Sequence, residues 1–152
     1  MIAVLLGVVG IAVAQQHPNF SGTWNLNVAD SDFSDKRAVV PDRLVLTVQQ
    51  SRDTLKFRFA REKDGKKSHY DVDLTISAPP YESDAAGVVT AEWKGDKLEI
   101  PTLFNPGQER QSDQTETWSL SSDGKKLIDD MLIRPPRKAA EVHIRRVFDK
   151  QP

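Results

Sequence analysis

Apolar and polar residues alternate with a period of two along most of the chain, the mark of strands that bury one face and wet the other. Trp24, Leu26 and Val28 share one side of a run whose other side carries Thr23, Asn25 and Asn27. Leu44, Leu46 and Val48 repeat the pattern, as do Leu55, Phe57 and Phe59 against Lys56 and Arg58. The cleanest run sets Tyr70, Val72, Leu74 and Ile76 against Asp71, Asp73 and Thr75. Val89, Ala91 and Trp93 follow, then Leu98 and Ile100, then Trp118 and Leu120, while 127–133 is apolar on both faces. Val142, Ile144, Arg146 and Phe148 end the series, opposite Glu141, His143, Arg145 and Val147. The pattern predicts about nine strands at a spacing of roughly ten residues.

The breaks between runs predict antiparallel hairpins. Asp64-Gly65, Gly95-Asp96 and Asp123-Gly124 each separate two alternating runs, where tight turns need positive φ. Longer loops are expected at 77–87 and 105–112, and the segment 29–41 has room for one helical turn capped by Asp30 or Ser31. The fold class expected is all-β: an antiparallel up-and-down meander closed into a β-barrel of about eight to ten strands.

Composition changes the picture at the amino end. Residues 1–14 are all apolar or glycine, end in Ala12-Val13-Ala14 and run into Gln15-Gln16-His17. An apolar run before a small-x-small site is expected of a secretory signal, although no Lys or Arg precedes it as in a usual n-region. As a helix it would rise about 21 Å, short of the ~30 Å hydrocarbon core, so no spanning anchor is expected. The expected organisation is therefore a signal peptide over 1–14, cleaved near Ala14, and one barrel domain over 15–152, secreted or periplasmic.

Charge and cysteine content narrow the function. Lys and Arg number 21 against 22 Asp and Glu, leaving no basic excess for a polyanion such as nucleic acid. The absence of cysteine removes disulfides, thiolate nucleophiles and sulfur metal ligands. His17, His69 and His143 lack ligand spacing, and no Gly-x-Ser-x-Gly elbow is present. The run Asp30 to Asp35 opens like a calcium loop, but Asp35 stands where such a loop needs glycine and Pro41 where it needs glutamate.

Three features carry the remaining chemistry. Asp129-Asp130 interrupts an apolar strand, so one of the two must point inward. Gln114 and Glu116 share a strand face with Trp118, and Arg146 projects among apolar residues. A buried arginine needs a carboxylate, supplied by Glu116, by Asp129 or by a ligand. The inward acids can equally form a structural ion pair, bind a ligand or act as acid and base if desolvated. Asp71 and Asp73 read as a wet outer face, and Trp24, Trp93 and Trp118 as inward residues of core or wall.

Phe20-Ser21-Gly22-Thr23-Trp24-Asn25-Leu26, followed by Ser31-Asp32-Phe33, resembles the opening of lipocalins and fatty-acid-binding proteins, whose first strand carries Gly-x-Trp. Arg146-Val147-Phe148 is similar to the Arg-x-Tyr of the fatty-acid-binding group's last strand, with phenylalanine in place of the tyrosine. The stretch from Glu116 to Lys125 also resembles small secreted bacterial proteins of unassigned function. The resemblance implies a calycin-type barrel with Arg146 as an internal carboxylate anchor. It equally implies closure by Gly22, Trp24 and a terminal basic residue, Arg145 or Arg146. The chain departs from the fatty-acid-binding pattern after the first strand, where 29–42 is too short for a helical-hairpin lid.

The leading expectation is a non-enzymatic protein that binds a small apolar or amphipathic molecule, with a carboxylate among the candidate polar groups, and takes no cofactor or metal. Phe57, Phe59, Tyr70, Val72, Leu74, Trp93 and Trp118 would line its interior, with Arg146 and Glu116 as polar groups. A second expectation is a filled barrel acting as an envelope or interaction module. A third is a calycin-type enzyme using Glu116 or Asp129 as acid/base. An internal cavity of several hundred Å³ separates the first from the second.

Overall fold

The computed structural model describes residues 17–83 and 86–152. The expected signal segment lies outside the described residues.

Among the described residues eleven strands form one antiparallel sheet. They are β1 (Gly22–Leu26), β2 (Arg43–Gln50), β3 (Thr54–Lys63), β4 (Lys66–Thr75), β5 (Tyr81–Ser83), β6 (Gly87–Val89), β7 (Glu92–Lys94), β8 (Lys97–Phe104), β9 (Ser112–Leu120), β10 (Lys126–Arg134) and β11 (Val142–Lys150). The hydrogen-bonded order is β4-β3-β2-β1-β11-β10-β9-β8-β6-β5, with β7 also on β8. Pairing of the first strand with the last, Trp24 opposite Lys150 and Leu26 opposite Phe148, bends the meander into a nearly closed barrel. The opening lies between β4 and β5, where the Tyr81 hydroxyl reaches the Asp71 carbonyl at 3.4 Å. Among the described residues no helix is long and apolar enough to cross a membrane.

The all-β fold and the hairpins follow the alternation. Asp64 and Gly65 turn the β3–β4 hairpin with φ of 50° and 72°, a pair of left-handed residues that matches the twist of the flanking strands. Two details differ. The expected loop 77–87 contains β5, and the Val89–Trp93 run divides into β6 and β7, so eleven strands replace about nine. The segment 29–41 forms no helical turn; a short 3₁₀ turn sits instead at Pro136–Lys138. Asp32 Oδ1 accepts from the Ser34 amide and Asp35 Oδ1 from the Arg37 amide. These local side-chain bonds compete with helix formation. Asp32 also exchanges two backbone bonds with Arg145, at 2.7 and 3.1 Å.

One end of the barrel is filled. Trp24, Leu46, Leu55, Leu98, Trp118, Leu127 and Phe148 are fully buried there. Phe20, just before β1, plugs this end, stacked on Trp93 and edge-on to Trp118 with centroids 6.0 and 5.8 Å away. The Trp24 indole N–H donates to the Phe20 carbonyl at 2.8 Å. Burial of these large side chains supplies most of the driving force for folding.

The closure residues include a correction. The cation over Trp24 is Lys150, its Nζ 5.1 Å from the ring centroid, and not Arg145. Arg145 points outward and pairs with Asp130 at 3.0 Å. The register explains this, because Lys150 stands directly opposite Trp24 while Arg145 alternates to the outer face. Gly22 makes room for the lysine stem: a Cβ there would lie 3.2 Å from Lys150 Cε, and its φ of 141° disfavours any side chain.

Candidate functional site

The barrel's other end is open. A cavity of about 280 Å³ lies there, near the small end of the ~300–1,000 Å³ typical of ligand sites. Strand register decides its position. Opposite pairs Phe59–Tyr70, Asp129–Arg146 and Met131–Glu116 place successive inward residues in layers along the barrel axis. Toward the filled end the interior is packed by aromatic and aliphatic side chains. Above the Arg146 layer the inward residues are Leu44, Met131 and Ile144, which are too small to meet across the barrel and leave space.

The segment between β1 and β2 arches over the mouth, contributing Phe33, Val39 and Pro41 to the cavity wall. Arg37 fastens this arch. It donates to the Ala140 and Glu141 carbonyls at 2.6 and 2.8 Å, and its guanidinium hydrogen bonds hold Asp35 down at about 2. Val39 stays 57% exposed beside this opening, an apolar rim that a ligand would cover.

The cavity floor is a buried ion cluster. Arg146 Nε donates to Asp129 Oδ2 at 2.7 Å, and Nη2 bonds the same oxygen. Nη2 also lies 3.3 Å from Glu116 Oε2. Glu116 in turn accepts from the Gln114 amide at 2.7 Å and from the Trp118 indole N–H at 3.1 Å. The rings of Phe59 and Phe148 flank the guanidinium at 4.9 and 5.7 Å, a stacking geometry that suits arginine. Of the Asp129-Asp130 pair, Asp129 is the inward one and is fully buried, with its Oδ1 unpartnered.

Two carboxylates thus face one guanidinium in a dry layer. Burial pushes Asp129 up to about 7, with Arg146 opposing the rise and Glu116 adding to it. Burial disfavours the charge of Arg146, yet the facing carboxylates outweigh it and leave its pKa raised. Burial also lifts the Tyr70 hydroxyl well above its ordinary value, and the Glu116 charge adds to this.

A pH dependence of stability follows. Unfolded Asp129 releases its proton near its ordinary 3.8, whereas the folded protein holds it to about 7. The native state therefore binds more protons between these values, so stability should fall as pH rises across that window. The carboxylates shifted down, such as Asp35 and Asp71, act only below it. Urea unfolding at several pH values is expected to show this decline in the wild type and a flatter profile in Asp129→Asn.

The sequence-predicted binding residues divide by layer. Phe59, Tyr70 and Arg146 border the cavity. Phe57, Val72, Leu74 and Trp118 lie instead in the packed core: Phe57, Val72 and Leu74 are displaced along β3 and β4 from the Phe59–Tyr70 pair, and Trp118, opposite Asp129, is level with Arg146 but packed against Phe20, Phe57 and Phe59. Glu116 stands behind Arg146, and Trp93 sits at the plugged end, stacked on His17 at 4.2 Å. Leu44, Met131 and Ile144 were not among the predicted binding residues, and Gln114 was read only as sharing the inward face of Glu116. Their signal was membership of the same inward series, which alternation records but does not place at either end. Among the described residues no group of three or more His, Asp or Glu converges as a metal site. Asp30 and Asp35 of the calcium-like run are already paired, with Lys126 and Arg37.

No protein-family profile matches the sequence, and no curated protein matches it. Solved structures do share the fold. Secretory abundant heat soluble protein 4 from Ramazzottius varieornatus superposes with a TM-score of 0.60 at 11% identity, covering 91% of this chain and all, 100%, of that one. A mutant of the REP1-NXSQ fatty acid transporter gives 0.58 at 14% identity, over 86% and 97% of the two chains. Apo lipid binding protein 8 of Caenorhabditis elegans gives 0.56 at 15%, over 87% and 95%. At such identities the likeness is one of architecture, and the chain shares the antiparallel barrel fold of these proteins.

Proposed function

We propose that the barrel binds a small amphipathic molecule, its apolar part in the open end and its polar group at the Arg146 floor. The cavity carries this reading: apolar walls from Leu44, Phe59, Met131 and Ile144 close on the Arg146 cluster, with Arg61, Ser68 and His69 exposed along the lining, the make-up of small-molecule sites in barrel mouths. Two of the structures that share the fold bear the names of a fatty acid transporter and a lipid binding protein, which supports the same reading. Secretion or periplasmic residence is part of the proposal, and rests on the apolar run over 1–14.

The filled-barrel alternative describes only the plugged half. The acid/base alternative finds no support in the site, because Asp129 and Glu116 are both engaged with Arg146, whereas a general acid or base needs a free proton path to substrate.

The test is a titration with the neutral fluorophore N-phenyl-1-naphthylamine, comparing wild type with Met131→Trp, which fills the cavity from β10. Saturable fluorescence enhancement in the wild type and its loss in the folded variant are expected. Equal enhancement in both would place binding elsewhere and reject the cavity as the site.

A further inference from the structure

Arg146 is the buried cation of the cavity floor, and its charge is already taken; the cavity's other basic side chains among the described residues, Arg61 and His69, are exposed. Arg146 Nε and Nη2 face Asp129 and Glu116, so two buried carboxylates answer one guanidinium. Among the described residues no group accepts from the remaining nitrogen, Nη1, which is not sealed from the cavity. Gln114 and Tyr70 line the same cavity, the Gln114 amide donating to Glu116.

Such a floor can donate a hydrogen bond but has no spare positive charge. A ligand carboxylate at Nη1 would be a third negative charge in a low-dielectric layer around a single cation, and repulsion from Asp129 and Glu116 would cancel the attraction to Arg146. A cationic head would meet the guanidinium itself, with the two carboxylates lying behind it. A neutral oxygen takes the Nη1 proton without adding charge, and it satisfies a donor that would otherwise be desolvated unpaired. Resting on the binding reading above, we propose that Asp129 and Glu116 make this cavity selective for neutral amphiphiles that accept a hydrogen bond, namely short-chain alcohols and amides, and against free fatty acids.

The experiment is displacement of N-phenyl-1-naphthylamine by four probes of one chain length: 1-octanol, octanamide, octanoate and octylamine. It is run near pH 8, where octanoate and octylamine are both ionised. Octanol and octanamide should displace at roughly tenfold lower concentration than either ion. Asp129→Asn, and Glu116→Gln as a second variant should the first fail to fold, remove one negative charge while keeping a polar partner for Arg146. Each is expected to improve octanoate relative to octanol by about tenfold. Octanoate or octylamine equalling octanol on the wild type would overturn the selectivity while leaving the binding reading intact. So would octanoate affinity unchanged relative to octanol in a folded charge-removing variant. Failure of the fluorophore and of all four probes to bind the wild type would overturn the binding reading, and the selectivity with it.

Discussion

Arg146→Leu is expected to destabilise the barrel by about 3–5 kcal/mol, among the largest effects of any single substitution in it. Leucine fits the space among Phe59 and Phe148, so lost packing is the smaller part. The larger part is what stays behind: Asp129, fully buried, and Glu116, each then without a cation. Two like charges in one dry layer cannot both ionise, so at least one must take up a proton on folding. Adding Asp129→Leu and Glu116→Gln to the same chain removes both orphaned charges and should recover most of the loss. Urea midpoints of the single and triple variants measure both effects. A cost below about 1 kcal/mol for Arg146→Leu would show that the cluster is not dry.

The second large effect is expected from Trp118→Ala, at about 3–5 kcal/mol. Trp118 is fully buried where the rings of Phe20, Phe57 and Phe59 converge, at 5.8, 5.2 and 6.4 Å. Truncation opens a void that β-strands cannot collapse into, and it removes the indole N–H from Glu116. Binding separates this residue from a cavity wall. Since Trp118 is packed in the core and does not line the cavity, the folded fraction of Trp118→Ala should still take up the fluorophore. A variant of near-normal stability that has lost binding would instead make Trp118 a ligand contact.

These two residues show what the chain discloses by itself. Alternation alone puts Trp118 and Arg146 indoors, and Asp129-Asp130 in an apolar strand announces one buried acid. The barrel, its hairpins and the inward set were therefore legible. Which end is open was not. That depends on register between strands distant in sequence, such as Asp129 opposite Arg146 and Met131 opposite Glu116, and a single-strand pattern contains no register. For the same reason Phe57, Val72 and Leu74 read as cavity wall although they pack beneath the floor. Lys150 escaped notice over Trp24 because a lysine on the last strand looks solvated until its cross-strand partner is known. Phe20 was hidden by preceding β1, outside any alternating run. The arch at 29–41 failed as a helix because its Asp and Ser side chains bond their own backbone first.

The central claim is that the open end of the barrel, above Arg146, is where a small amphiphile resides. Amide chemical-shift mapping of the ¹⁵N-labelled protein titrated with 1-octanol tests it most directly. Saturable shifts are expected at Leu44, Tyr70, Gln114, Met131 and Ile144, with Val48, Leu74 and Leu98 at the plugged end unmoved. Shifts concentrated at the plugged end or on the outer sheet face, with the residues around Arg146 silent, would contradict it.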